Sequence, residues 1–363
     1  MSTGLAFSYE SRAQRVVFGA GTARTDLAAE IERLGCARVL VVAAHAEREL
    51  AEELTSVLPV VATFLDVRQH VPLETATAAR ALAGTSGADS VLSIGGGSTT
   101  GTAKAIAMTT GLPIIAVPTT YAGSEATAVW GLTDAGRKST GTDPAVLPRT
   151  VIYDPELTLS LPADLTVASG LNAMAHCVDS LWAPNANPMS SAMAVAGIRG
   201  LRQALPEVRR DGSNLDARAA ALSAAYLAAV AFTTAGSGLH HKICHVLGGT
   251  YDLPHAPTHA VVLPYVAAFN VSSAPSAAAL LADALGVPDP VSGLVELYAS
   301  LGAPGSLREL GLSSDDLPEA ARLVAEAAPA SNPRPVGRDD AALILRHAWA
   351  GDRPGSDQLE AHR

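Results

Sequence analysis

The feature that most constrains this chain is a change of pattern near Asp154-Pro155. Before it, short β-rich runs alternate with helical stretches. Arg15–Phe18, Arg38–Ala43, Val60–Leu65, Ser90–Ile94 and Pro113–Val117 read as strands. RVLVVA at 38–43 and PIIAV at 113–117 are continuous apolar runs, as parallel strands covered on both faces require. Helices are expected from about Glu74 to Ser86 and from about Thr99 to Thr110. This alternation implies an α/β fold, with a parallel sheet and helices on both faces. After the junction, Ala/Leu-rich helical periodicity runs on with almost no strand signal, broken at 184–188, 206–214, 254–257 and 333–335. The 363 residues therefore divide into an α/β nucleotide-binding domain, 1–157, and an all-α domain, 158–363.

Composition narrows the function. Lys and Arg number 25 against 35 Asp and Glu, a net charge of −10, which excludes the basic field of a nucleic-acid binder. A hydrophobic content of 48% excludes disorder. Cys36, Cys177 and Cys244 are too widely spaced for a disulfide framework or a zinc–thiolate site. With no signal-peptide pattern at the start, a cytoplasmic location is expected. Ala219–Leu239 carries no charge and is long enough to span a bilayer. Its Ala, Ser, Thr and Gly content instead reads as a buried helix, so no membrane partner is expected.

Two glycine-rich turns follow strands. In Gly19-Ala20-Gly21-Thr22-Ala23-Arg24, Arg24 stands where a dinucleotide fingerprint needs its third glycine, so this reads as a structural turn. In Ser93–Lys104 (SIGGGSTTGTAK) three glycines lead from a buried strand into a helix. Gly96, Gly97 and Ser98 are the expected phosphate contacts, through backbone N–H groups and the helix N-terminus. Ser98 is expected either to cap the helix or to meet a phosphate oxygen. The next strand runs into Pro118–Glu125 (PTTYAGSE), where Thr119, Thr120 and Ser124 offer hydroxyls at the carboxyl end of the sheet.

Six of the ten histidines lie between residues 176 and 259. Asn172 and His176 are spaced i, i+4, as are His241 and His245, so each pair shares one helix face. His255 and His259 follow after Tyr251-Asp252-Leu253-Pro254. Two such pairs plus a loop histidine are expected to converge on one pocket.

These stretches, in this order, resemble the iron-containing (group III) alcohol dehydrogenase superfamily over nearly the whole chain. The specific segments are GGGSTTGTAK at 95–104, PTTYAGSE at 118–125, GLNAMAH at 170–176 and GLHHKICHVLGGTYDLPHAPTH at 238–259. The resemblance implies a dehydroquinate synthase-like fold, a nicotinamide cofactor and a homodimer. It places a metal-ligand set at Asn172, His176, His241 and His255, with Asn172 where metal-dependent members carry aspartate. Gly101 likewise stands where the parent loop usually has aspartate. A neutral His₃Asn set is a poor site for iron or zinc, so a required metal is not expected. Both departures match a reductase branch acting on a small unsaturated dicarboxylate, in which an imidazole cluster replaces the metal. His176, His241, His245, His255 and Asn172 would be catalytic, with His241 or His245 the proton donor. Lys138 would lie near the cofactor, and Arg137 and Lys242 are weaker candidates for substrate carboxylates. The strand Arg38–Ala43 ends at Ala43-Ala44-His45, with no acidic residue there to select the ribose, so NADH or NADPH is admitted, with NADH the first choice. The alternative is a metal-dependent alcohol or polyol dehydrogenase of the same superfamily.

Overall fold

A computed structural model describes residues 6–134 and 137–355. Six parallel strands form one sheet: β1 (Arg15–Phe18), β2 (Val39–Ala43), β3 (Val60–Phe64), β4 (Ser90–Gly95), β5 (Ile114–Pro118) and, after a β6–β7 hairpin (Val129–Asp134 and Arg137–Thr142), β8 (Thr150–Tyr153). The sheet order is β1-β8-β5-β4-β2-β3. Its helices are α1 (Thr22–Thr25), α2 (Leu27–Arg33), α3 (Arg48–Thr55), α4 (Leu73–Ser86) and α5 (Gly97–Thr110). The rest is helical: α6 (Ala163–Ser180), α7 (Pro188–Arg210), α8 (Leu215–Ala235), α9 (Leu239–Tyr251), α10 (His255–Asn270), α11 (Pro275–Leu285), α12 (Pro290–Leu301), α13 (Leu317–Ala327) and α14 (Arg338–Ala350).

The apolar runs explain the layers. Along β2, Val39, Val41 and Ala43 pack with Leu27, Ile31 and Leu54 on one face of the sheet. Leu40 and Val42 pack with Ala79, Ala83, Ala103 and Ile106 on the other. Burial of each such aliphatic side chain contributes about 1.5–3 kcal/mol, which is why a strand without polar alternation has to be central. The chain leaves β2 toward β3 at one edge, and leaves β4 toward β5 and the other edge. The crevice at the carboxyl ends of β2 and β4 is thus a topological switch point, where open α/β sheets bind ligands.

The sheet core continues into the helices. Ala116, Tyr121, Val151 and Tyr153 join one cluster with residues of α6, α7 and α8. The central element is α6, which is buried from Thr166 to Ser180. Gly170 permits this, because a Cβ there would run into Leu205 of α7.

Three sequence expectations are corrected. β8 and the β6–β7 hairpin were not expected: TVIY is only four residues long, and the hairpin strand VWGLTD shows no buried face to give it an apolar period. α5 starts at Gly97 rather than near Thr99, so the third glycine of GGGS is already helical. The uncharged segment 219–239 is not one helix. α8 ends at Ala235, Gly236 turns with φ 86°, and α9 begins at Leu239. Among the described residues α8 is the one helix long and apolar enough to cross a membrane, and half of its apolar window is buried within the fold.

Candidate active site

The glycine loop sits at the switch point. Gly95 closes β4 with φ 146°, and Gly96 is the N-cap of α5, so no side chain covers the opening N–H groups of that helix. Ser98 therefore does not cap, and one of its two expected roles is ruled out; it lies in the first turn. The Thr119 N–H donates to the Gly95 carbonyl at 3.2 Å. A Cβ on Gly96 would meet Thr120 at 3.0 Å, and one on Gly97 would meet Ala122 at 3.2 Å. The two loops thus lie backbone against side chain, with the bare helix end beside them.

The earlier glycine turn is committed elsewhere. Gly21 and Ala23 donate their N–H groups to the buried Asp154 carboxylate at 3.0 and 3.2 Å. That turn closes the first βα unit against the end of β8, as its sequence suggested.

Lys104, at the end of the glycine motif, is fully buried. Its Nζ faces the carbonyls of Ser124, Thr127 and Val129 at 2.6, 2.9 and 2.7 Å, and the Thr127 hydroxyl at 3.0 Å. It ties the second loop to α5. Burial lowers its pKa to about 7, against the opposing pull of Glu125. The Glu125 carboxyl is raised by burial and accepts a 2.7 Å hydrogen bond from the Tyr153 hydroxyl. Sequence reasoning did not single out Lys104, because a lysine on an early helix turn normally reads as exposed.

The imidazoles converge from three helices. α6 carries Asn172 and His176, α9 carries His240, His241 and His245, and α10 carries His255 and His259. The His176 and His241 rings stack at 5.1 Å, with Phe232 at 4.9 and 4.3 Å from them. His241 lies 6.3 Å from His245 and 4.9 Å from His259, and His259 lies 4.5 Å from His255. The four expected histidines therefore belong to one array.

The structure adds a carboxylate that the sequence did not reveal. Asp179, fully buried on α6, bonds His241 Nδ1 through Oδ2 at 2.7 Å. It also accepts the Gly238 N–H at 2.9 Å and the Trp182 indole N–H at 3.3 Å. With two other donors aimed at it, Asp179 is the acceptor and His241 Nδ1 the donor, which fixes the tautomer and leaves Nε2 as the working nitrogen. Gly238 is needed here, since a Cβ would collide with this carboxylate. Asp179 follows His176 by three residues on one helix, but nothing in the sequence pairs it with His241, 62 positions away.

Behind His241, His240 Nε2 and His259 Nδ1 share a 2.8 Å hydrogen bond, with the Cys244 thiol 3.7 Å from His240 Nε2. Burial, reinforced by neighbouring imidazoles, drives both rings well below the ordinary histidine pKa. Burial likewise takes His176 down to about 4. The inner array is therefore uncharged near neutrality.

The resemblance places a metal at Asn172, His176, His241 and His255. Among the described residues, the ligating atoms that gather within 4.8 Å are instead those of His240, Cys244 and His259. There the two ring nitrogens already bond each other. Asn172 Oδ1 and His176 Nδ1 are buried side-chain atoms without hydrogen-bond partners.

The loop and the array meet at Gly123. This residue has φ 78°, and a Cβ on it would stand 3.6 Å from His176 Nδ1 and 2.8 Å from Ala229. Lys138 lies on β7 opposite Thr133, but its side chain falls outside the described residues, as does that of Arg137.

A parallel sheet with a bare helix N-terminus at its switch point, abutting an imidazole array, defines a nucleotide-dependent oxidoreductase. A model described as "Iron-containing alcohol dehydrogenase" matches residues 13–155, and one described as "Fe-containing alcohol dehydrogenase family, C-terminal" matches 166–349. The chain belongs to the iron-containing alcohol dehydrogenase family. It is 46% identical to a maleylacetate reductase of Burkholderia cepacia, covering 96% of this chain and 99% of that one. A solved maleylacetate reductase from Agrobacterium tumefaciens superposes with a TM-score of 0.92 at 44% identity, covering 96% and 99% of the two chains. An iron-containing alcohol dehydrogenase structure from Corynebacterium glutamicum gives 0.95 at 50%, covering 98% and 100%.

Proposed function

We propose that this chain is a cytoplasmic, homodimeric maleylacetate reductase that uses NADH or NADPH to reduce the C=C bond of maleylacetate to 3-oxoadipate during aromatic compound degradation. The observation that carries the reading is the closeness of Gly123 to His176, where a Cβ would stand 3.6 Å from Nδ1, which sets the end of the second loop beside an imidazole array in which Asp179 bonds His241. Residues 1–157 hold the nucleotide, and 158–363 supply the pocket. Gly96, Gly97 and Ser98 receive the pyrophosphate at the uncapped start of α5, with Thr119, Thr120 and Ser124 on the adjoining loop and Lys138 on the hairpin.

The bound nicotinamide supplies a hydride to the alkene carbon β to the ketone. The ketone oxygen then becomes an enolate, and the carbon next to it needs a proton. His241 is built for both tasks. Its Nδ1–H bond to Asp179 stabilises the imidazolium, so Nε2–H can hydrogen-bond the enolate oxygen and then give its proton to the adjacent carbon, which leaves the ring neutral. His245, on the same face of α9, is the alternative donor. Asn172 leaves the pocket without a carboxylate that would repel a doubly anionic substrate. No step requires a metal.

The test is spectrophotometric. Purified enzyme is given NADH and maleylacetate, with and without chelator, and in parallel simple aldehydes. Turnover of maleylacetate that survives the chelator is expected. Chelator-sensitive turnover of aldehydes, without maleylacetate activity, would establish the alcohol dehydrogenase alternative.

A further inference from the structure

His70 lies between β3 and α4, in the sheet half, and nothing above assigns it a role. It and Val71 have φ values of 62° and 50°. Among the described residues the other non-glycine with positive φ is Asp252. For a β-branched valine this is a true outlier, and such conformations persist only where the surroundings enforce them. Here they do. The hairpin grips the turn, with the Thr133 N–H donating to the Val71 carbonyl at 3.1 Å and the Thr133 hydroxyl to the His70 carbonyl at 2.8 Å. Val71 is buried with Ala76, Ala105 and Leu132. Gly101 leaves the space for it, since a Cβ there would stand 2.8 Å from Val71 Cγ2.

The product of this forced turn is the position of one side chain. The His70 ring stands edge-on to that of His255, at the start of α10, with centroids 6.3 Å apart. The contacts linking His255, His259, His240 and His241 run at 4.5–5.1 Å, so the His70–His255 pair is a wider station at the end of that array. Both rings are half-buried, unlike the sealed His240 and His259.

We propose that His70 is a specificity-determining residue: with His255 it receives one carboxylate of the substrate between the sheet half and the helical half. The inference rests on the dicarboxylate reading above. A strained turn is held by Thr133, by the packing around Val71 and by the space at Gly101 because it delivers a nitrogen donor to the far end of the substrate from His241. The hydrogen bond to a charged group made there would contribute to binding, not to the hydride step.

The test is steady-state kinetics on the whole enzyme. His70→Asn removes the imidazole but suits the left-handed backbone, since asparagine tolerates it best among non-glycine residues. Loss of a charge-assisted bond should raise KM for maleylacetate about tenfold, with kcat changed less than about threefold and KM for NADH unmoved. His70→Gly relieves the turn and should give the same split without a folding defect. Gly101→Ala, which crowds Val71, should shift KM in the same direction by less. A maleylacetate KM within about twofold of wild type in both His70 variants, or a rise confined to NADH, would overturn the inference. Wild-type enzyme that fails to reduce maleylacetate would overturn the proposed function itself, and it is measured first.

Discussion

The two halves of the molecule meet the ligand in different chemical terms. At the sheet ends the backbone is the instrument: Gly95, Gly96 and Gly97 clear space, and the start of α5 presents uncapped N–H groups. In the helical half side chains are the instrument, and each is held by another side chain, His241 by Asp179 and His259 by His240. In the proposed function the first arrangement would bind a fixed anionic group and need no proton to move. In that reading the second would change protonation during turnover, so it needs a tautomer fixed in advance. The difference predicts which substitutions damage chemistry and which damage cofactor affinity.

The largest effect expected is on chemistry, from Asp179→Asn. The amide keeps the volume of the carboxylate and can still accept the Gly238 N–H. It cannot stabilise an imidazolium at His241. A fall in kcat of about 10²–10³ is expected, the range for a misassigned general acid, with the dissociation constant for NADH unchanged. Steady-state kinetics and a fluorescence titration with NADH read the two quantities. A parallel loss of both would mean that Asp179 holds the fold rather than His241, and would break the comparison.

Next comes pH, because the halves titrate in different windows. Burial holds His176 at about 4 against an ordinary value of 6.5. Between those values the unfolded chain binds a proton that the folded chain refuses, so stability falls as pH drops from 6.5 toward 4, by about 3 kcal/mol at most for this ring. His240 and His259 act with the same sign. Lys104 obeys the same rule at higher pH: it is lowered from 10.5 to about 7, so the stability it costs near neutrality is recovered as pH rises between those values. Thermal melts across both ranges should slope upward with pH in each. His176→Asn should reduce the slope of the acid arm alone, and Lys104→Met that of the alkaline arm alone.

This asymmetry also explains what the sequence could disclose. The glycine loop was legible because its parts are contiguous: strand, three glycines and helix follow one another in Ser93–Lys104. The switch from alternation to helices was legible because burial on both faces writes itself into β2 and β5 as runs without polar residues. The histidines were visible as a cluster, since i, i+4 spacing is a local property. What joins them is not local. The Asp179–His241 bond depends on Gly238 letting α6 approach the start of α9, and the His240–His259 pair depends on how α9 packs against α10. The hairpin and β8 were missed for the opposite reason: they are short, and the hairpin strand β6 is only half-buried, so local pattern is weak where pairing is strong.

The smallest effect expected, and the sharpest for the backbone side of the comparison, is Gly97→Ala. The backbone of Gly97 is already helical, so alanine brings no conformational strain and is favoured in a helix interior. What it brings is a Cβ 3.2 Å from Ala122, in the gap between the two loops. That is closer than an ordinary van der Waals contact, so one loop has to give way by a few tenths of an ångström. If the pyrophosphate sits on the first turn of α5, that displacement lengthens its hydrogen bonds. Affinity for NADH should fall about tenfold, equivalent to about 1.4 kcal/mol. In the proposed mechanism the hydride and proton steps lie with residues that Gly97 does not touch, so kcat at saturating NADH should stay within about twofold of wild type. Thermal stability should be unchanged or slightly raised, which separates loss of the anion site from loss of the fold. Tightly bound NADH in Gly97→Ala, with kcat reduced, would place the phosphate elsewhere and make this loop part of the chemistry after all.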